Sequence, residues 1–140
     1  MDCTVKWIDG MTFLAETGSG HVVTMDGAPD AGGRNLAPRP MEMLLAGAGG
    51  CSAFDVVLIL KRGRHDVRDC QVKLEADRAN TDPKVFTRIR MIFTVTGRQL
   101  KRDAVERAVK LSAEKYCSAT IMLGKSAEIT HEVEIVEIEG

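Results

Sequence analysis

Two cysteines stand at special points of this chain. Cys51 follows the run Pro-Met-Glu-Met-Leu-Leu-Ala-Gly-Ala-Gly-Gly over 40–50, and Cys117 follows Glu-Lys-Tyr over 114–116 at the end of an amphipathic stretch. Two thiols far apart in sequence, each set where a helical segment holds it against a core, form a candidate redox pair. Taken alone, a cysteine is most often a small buried hydrophobe. The glycines around Cys51 leave room above its sulfur for a ligand or a partner helix, and space beside a thiol is what reactivity requires. Cys117 has a plainer reading as filler at a helix junction. Its thiolate, however, would lie near the positive end of the helix that follows, which would lower its pKa. A disulfide between the two needs Cα atoms within about 7 Å. Cys3 and Cys70 have no such setting and read as structural.

The elements that must position these thiols follow from periodicity and turn chemistry. Short strands are expected over 4–8, 11–16 and 21–25, with Asp9-Gly10 as a tight hairpin turn. The Gly- and Pro-rich stretch 27–40 reads as a mobile loop before a helix that starts after Pro40. Residues 41–60 carry only Glu42 and Asp55 as charges, long enough to raise a membrane-spanning reading. The small residues at its centre and the amphipathic strands around it favour a core helix, with the same helix of a second subunit as its neighbour. Gly63 is a candidate cap, and the basic run 61–68 suits the negative end of the helix dipole.

Cys70, Val72, Leu74 and Ala76 alternate with Gln71, Lys73, Glu75 and Asp77, which predicts a half-buried strand. A second strand over 85–96, with Ile89, Met91, Phe93 and Val95 inward, should pair with it as an antiparallel hairpin. A helix is expected over 100–116, then a short helix 119–123 capped by Ser118, then a last strand 127–138 with His131 inward as a satisfied core histidine. Glu128, Glu132 and Glu134 form that strand's solvated face. The order is βββ-α-ββ-α-α-β, an α+β class, in one domain over 1–140.

The 140 residues and 44% apolar composition suit a single core. A formal net charge of −1 gives no broad field for nucleic acid or acidic membranes, so neither is expected as a partner. Four cysteines without an evident signal peptide favour a reducing cytoplasm. His21, His65 and His131 are scattered and flank no cysteine, so no metal site is expected.

The run Pro40 to Cys51 resembles the first cysteine motif of the OsmC/Ohr family, and Glu114-Lys115-Tyr116-Cys117-Ser118 resembles the second. The resemblance covers essentially the whole chain. It implies an intertwined homodimer in which antiparallel strands wrap a central buried helix, with active sites at the subunit interface. The peroxidase members reduce organic hydroperoxides. By position, Cys51 would attack the O–O bond and become a sulfenic acid, Cys117 would condense with it to a disulfide, and an external dithiol would reset the pair. No cofactor is implied.

Departures accompany the match. In the peroxidase branches an arginine from an N-terminal strand holds the thiolate, oriented by a glutamate at the position Met41 occupies here. This chain has Glu42 one residue later, about 100° away around the helix, and no arginine before Arg34. Arg34 or Arg39 is then the candidate supporting cation. Asp55, one turn after Cys51, is an anion on the same helical face, which opposes thiolate formation. The alternative reading is a non-catalytic module that binds a small apolar or thiol ligand in the same cleft.

Overall fold

The computed structural model describes residues 1–139. The chain forms two compact units, Met1–Ala46 and Gly47–Gly140, and the division falls inside its longest helix.

In the first unit, β1 (Cys3–Asp9), β2 (Thr12–Thr17) and β3 (Val22–Asp26) form an antiparallel meander in the order β1-β2-β3. The first turn is one residue later than expected. Asp9 still pairs with Thr12, so Gly10 and Met11 make the turn. Gly10 sits at φ +55, a left-handed conformation that glycine adopts without steric cost, and the Trp7 indole N–H donates to its carbonyl at 2.8 Å.

The stretch after β3, expected to be mobile, is tied to one carboxylate. Asp26 is 1% exposed and accepts from the backbone N–H groups of Gly27 (2.9 Å), Arg34 (2.9 Å) and Leu36 (3.1 Å). These bonds, with Leu36 and Arg34 the largest contributors, hold its carboxyl below the usual range.

Helix α1 spans Pro40–Arg62. Proline at the first helical position needs no N–H partner, and Glu42 reaches back to accept the Arg39 backbone N–H at 2.9 Å. That is one half of a capping box.

In the second unit, α1 buries Ala48, Gly49, Ser52, Val56 and Leu60, a stripe at helical spacing. Gly49 lets Leu74 pack close, since a Cβ on it would stand 2.8 Å from Leu74 Cδ1 and that side chain would have to shift. Residues flanking the stripe, Cys51 and Val57 among them, are half-buried, and Phe54 stays exposed. Among the described residues α1 is the one helix long and apolar enough to cross a membrane by length and composition.

At its end, His65 N–H bonds Leu60 O and Arg64 N–H bonds Lys61 O, the paired bonds of a Schellman motif. Arg64, at φ +61, takes the left-handed position, with Gly63 one residue before it.

Strands β4 (Asp66–Arg78) and β5 (Phe86–Arg98) pair antiparallel, while β6 (Glu128–Glu137) lies parallel on the other side of β5. The antiparallel hairpin of β4 and β5 is as expected, and the parallel seat of β6 is an addition to it. Its cause is the helical crossover between β5 and β6, which returns the chain to the same end of the sheet. As the central strand, β5 buries Ile89, Met91, Phe93 and Val95 completely, each at 1% exposure or less. On the outer face Arg90 bridges Glu75 and Glu132.

The crossover contains α2 (Arg102–Leu111), a π-helical turn (Ser112–Tyr116) and α3 (Ser118–Leu123). Its buried stripe is Val105, Ala108 and Val109, with Ala104 and Leu111 half-buried at its flanks. The single helix expected over 100–116 is therefore two pieces.

Candidate functional site

Cys51 lies midway along α1, next to the packed stripe, and is half-buried. Cys117 sits where the π-turn ends. Its backbone leaves the helical region (φ −77, ψ 97), and its N–H bonds Ser112 O at 2.8 Å, a bond across five residues. One extra residue in the turn re-aims the side chain, a common use of π-bulges at functional sites.

Cys117, not Ser118, is the N-cap of α3. Its Sγ accepts the Thr120 N–H at 3.5 Å. The thiol is fully buried and has the Cys51 thiol as a neighbour close enough to influence its titration.

The expected lowering of the Cys117 pKa does not result. Burial is the dominant influence and pushes the thiol up; the Thr120 hydroxyl and N–H pull it down by less, and the neighbouring Cys51 adds to the rise. The Thr120 hydroxyl and one long N–H···S contact at the start of a six-residue helix are together too little to offset desolvation.

Sequence reasoning missed the polar clasp beside these thiols. Ser112 is fully buried, its hydroxyl donates to Asp55 Oδ2 at 2.9 Å, and its oxygen lies 3.2 Å from the Ser52 oxygen. Ser112 thus ties the Cys51 segment of α1 to the turn carrying Cys117, through its hydroxyl on one side and its carbonyl on the other. Two serines at otherwise core-facing helix positions were the available signal.

Asp55 is where the helical period places it, one turn beyond Cys51, and its Oδ2 accepts from the Ser112 hydroxyl. Cys70 faces inward from β4 with its thiol raised, by burial first and then by Asp69, as befits a structural cysteine. Cys3 is exposed.

The three supporting residues all fall in the first unit. Arg34 is held there by Asp9 at 3.6 Å and Thr12 at 3.3 Å. Glu42 is occupied by the Arg39 backbone, and the Arg39 side chain is in no ion pair among the described residues.

His131 corrects the expectation of a satisfied core histidine. Its ring stacks on Phe93 with centroids 6.0 Å apart, but Nε2 is buried without a hydrogen-bond partner, and burial lowers its pKa. No group of three or more His, Cys, Asp or Glu side chains is placed to hold a metal among the described residues.

Residues 32–132 match the family model described as OsmC-like protein. Protein YhfA of Escherichia coli K12 is 56% identical over 136 residues, 97% of this chain and 98% of its own length. A hypothetical protein from Aquifex aeolicus VF5 superposes with a TM-score of 0.86 at 32% identity, covering 99% of this chain and 97% of that one. The organic hydroperoxide resistance protein OsmC from Legionella pneumophila shares the fold, with a TM-score of 0.70 at 17% identity over 96% of this chain and 97% of its own. With the family match over most of the chain, the close relative and the two cysteine motifs in agreement, this chain belongs to the OsmC-like protein family.

Proposed function

We propose that this protein is a thiol-dependent redox protein that reduces organic hydroperoxides through Cys51 and Cys117. The observation that carries the reading is that two cysteines distant in the chain are neighbours in the fold, one half-exposed and one buried. A buried thiol with a raised pKa is a poor first nucleophile, which supports Cys51 as the attacking group. The name of the Legionella protein, an organic hydroperoxide resistance protein, points the same way.

In the first step the Cys51 thiolate attacks one peroxide oxygen. The O–O bond breaks, the alkoxide leaves and is protonated to the alcohol, and Cys51 becomes a sulfenic acid. In the second, the Cys117 sulfur attacks Cys51. The S–O bond breaks, an S–S bond forms, and hydroxide departs with the Cys117 proton as water. An external dithiol then exchanges through both sulfurs, restores the thiols and is itself oxidised to a disulfide. The scheme uses no metal or nucleotide.

Exposed Phe54, three residues beyond Cys51, and exposed Met122 on α3 offer apolar surface to the organic group. Arg39 is the better candidate to support the thiolate, since Arg34 would have to give up Asp9 and Thr12. A homodimer would cover the open side of α1, where a Cβ on Gly47 or Gly50 would meet nothing within 4 Å. A reducing cytoplasm suits a pair reset by a dithiol.

Treating the reduced protein with cumene hydroperoxide should consume two thiols per chain and yield a Cys51–Cys117 disulfide in a peptide map, with Cys3 and Cys70 still alkylatable. Survival of both thiols under excess peroxide would end this reading. The use of Glu42 in its own helix cap favours a second one, a non-catalytic module for a small apolar or thiol ligand. A binder keeps its ligand in the Cys51→Ser protein; a peroxidase loses all turnover there.

A further inference from the structure

We propose that a cavity beside the thiol pair is a subsite for the carboxylate head of a small amphipathic monoacid, held by Arg62 and Arg107. The cavity has a volume of about 380 Å³ and lies between the end of α1 and the far end of α2. That size is at the lower end of small-molecule sites. Ile59, Leu111 and Tyr116 give it an apolar wall, and Arg62, Arg107 and Asp55 are its charged lining residues.

Arg62 in the last turn of α1 suits the helix dipole, which accounts for its charge alone. Arg107 comes from the middle of a different helix, where no dipole asks for a cation, yet it lines the same cavity. Neither is ion-paired among the described residues.

Guanidinium groups match carboxylates with paired N–H donors. Asp55 decides the valence of the ligand. With it in the lining the cavity holds one net positive charge, which a monoanion neutralises and a dianionic phosphate overfills. The wall sets the rest of the ligand, since Tyr116 and Leu111 call for an apolar body behind the acid.

The cavity adjoins the redox site through the chain itself. Asp55 is one turn from Cys51, and Tyr116 immediately precedes Cys117. Binding of the acid stands on this geometry alone; that its far end meets the thiols as a substrate rests on the function proposed above.

The test is calorimetric titration of the reduced protein, and of its Cys51→Ser variant, with octanoate, octanol and octyl phosphate at low salt. Octanoate should bind at least about tenfold more tightly than octanol, a gap of about 1.4 kcal/mol, and more tightly than octyl phosphate. Arg62→Gln and Arg107→Gln should each weaken octanoate several-fold and leave octanol unchanged, with circular dichroism spectra that match the parent. Equal affinity for octanoate and octanol, preference for the phosphate, or indifference to both substitutions would overturn the subsite. Octanoate binding that persists in protein whose thiols survive peroxide would overturn the peroxidase reading and leave the subsite standing.

Discussion

Asp26 in the first unit and Cys117 in the second are both buried groups able to carry a negative charge, and both accept backbone N–H bonds. They end in opposite states. Asp26 takes three backbone donors and is held charged, while Cys117 takes one at 3.5 Å and is held neutral. Sulfur is also the weaker acceptor, so its long contact returns little of what burial costs. His131 extends the series: its Nε2 has no partner, and burial alone sets the shift. The number and quality of local donors, more than depth, decides whether an interior group here is charged.

The largest break in that comparison is Asp26→Ala, which leaves the N–H groups of Gly27, Arg34 and Leu36 without their acceptor. The urea midpoint should fall markedly with an unchanged slope, and limited proteolysis should open sites within 27–36. Asp26→Asn should fall between the two proteins. Because the folded pKa is depressed, the contribution of Asp26 is complete above its unfolded value of about 3.9 and is lost as pH falls through the folded value. The Asn variant should lack that acid-dependent loss. An unchanged acid profile would show that the three donors do not set the charge.

Ser112→Ala sharpens the thiol side. It deletes the hydroxyl between Ser52 and Asp55 but keeps the carbonyl that accepts from Cys117. The expected loss of stability is about 1–3 kcal/mol, the cost of stranding polar partners, and disulfide formation under peroxide should slow. Full oxidation rate in the variant would mean that the backbone bond alone holds Cys117 in place.

His131→Phe tests burial without donors. The ring could keep its stack on Phe93 and would lose the orphaned nitrogen, so stability at neutral pH should rise by up to about 1 kcal/mol. The folded pKa of His131 lies below its unfolded value of about 6.5, so wild-type stability should decline as pH falls from there through the folded value. The Phe variant should lack that decline. Glu106, Lys110, Glu114, Lys125 and Glu128 line the grooves around the ring but are exposed. A decline that persists in the variant would move its origin to them.

Much of the fold was legible because it rests on local period. The alternation over 70–77 marked β4, the inward set Ile89, Met91, Phe93 and Val95 is the core, and Pro40 does begin α1. The Cys51 and Cys117 motifs were likewise legible. What escaped depends on partners far along the chain or on single-residue offsets. The π-turn is one added residue in a helix whose composition is unremarkable, and it turned the expected Ser118 cap into a Cys117 cap. The parallel seat of β6 depends on how the crossover packs, and the Ser52–Ser112–Asp55 clasp joins two elements that no sequence window contains.

A last substitution tests the balance at Cys117 itself. Thr120→Val removes the hydroxyl, which bonds the Cys117 carbonyl at 3.4 Å and helps to lower the thiol pKa, while the backbone N–H stays. Thr120 is 4% exposed and valine is close in shape, so stability should drop by about 0.5–1.5 kcal/mol, the worth of one hydrogen bond. With one opposing influence gone, burial should drive the thiol further up. The pH profile for alkylation of the Cys117 peptide, followed by mass spectrometry in the Cys51→Ser background to remove the neighbouring thiol, should move to higher pH. A profile that stays in place would leave the backbone N–H as the only donor that matters. The contrast with Asp26 would then reduce to one weak bond against three strong ones.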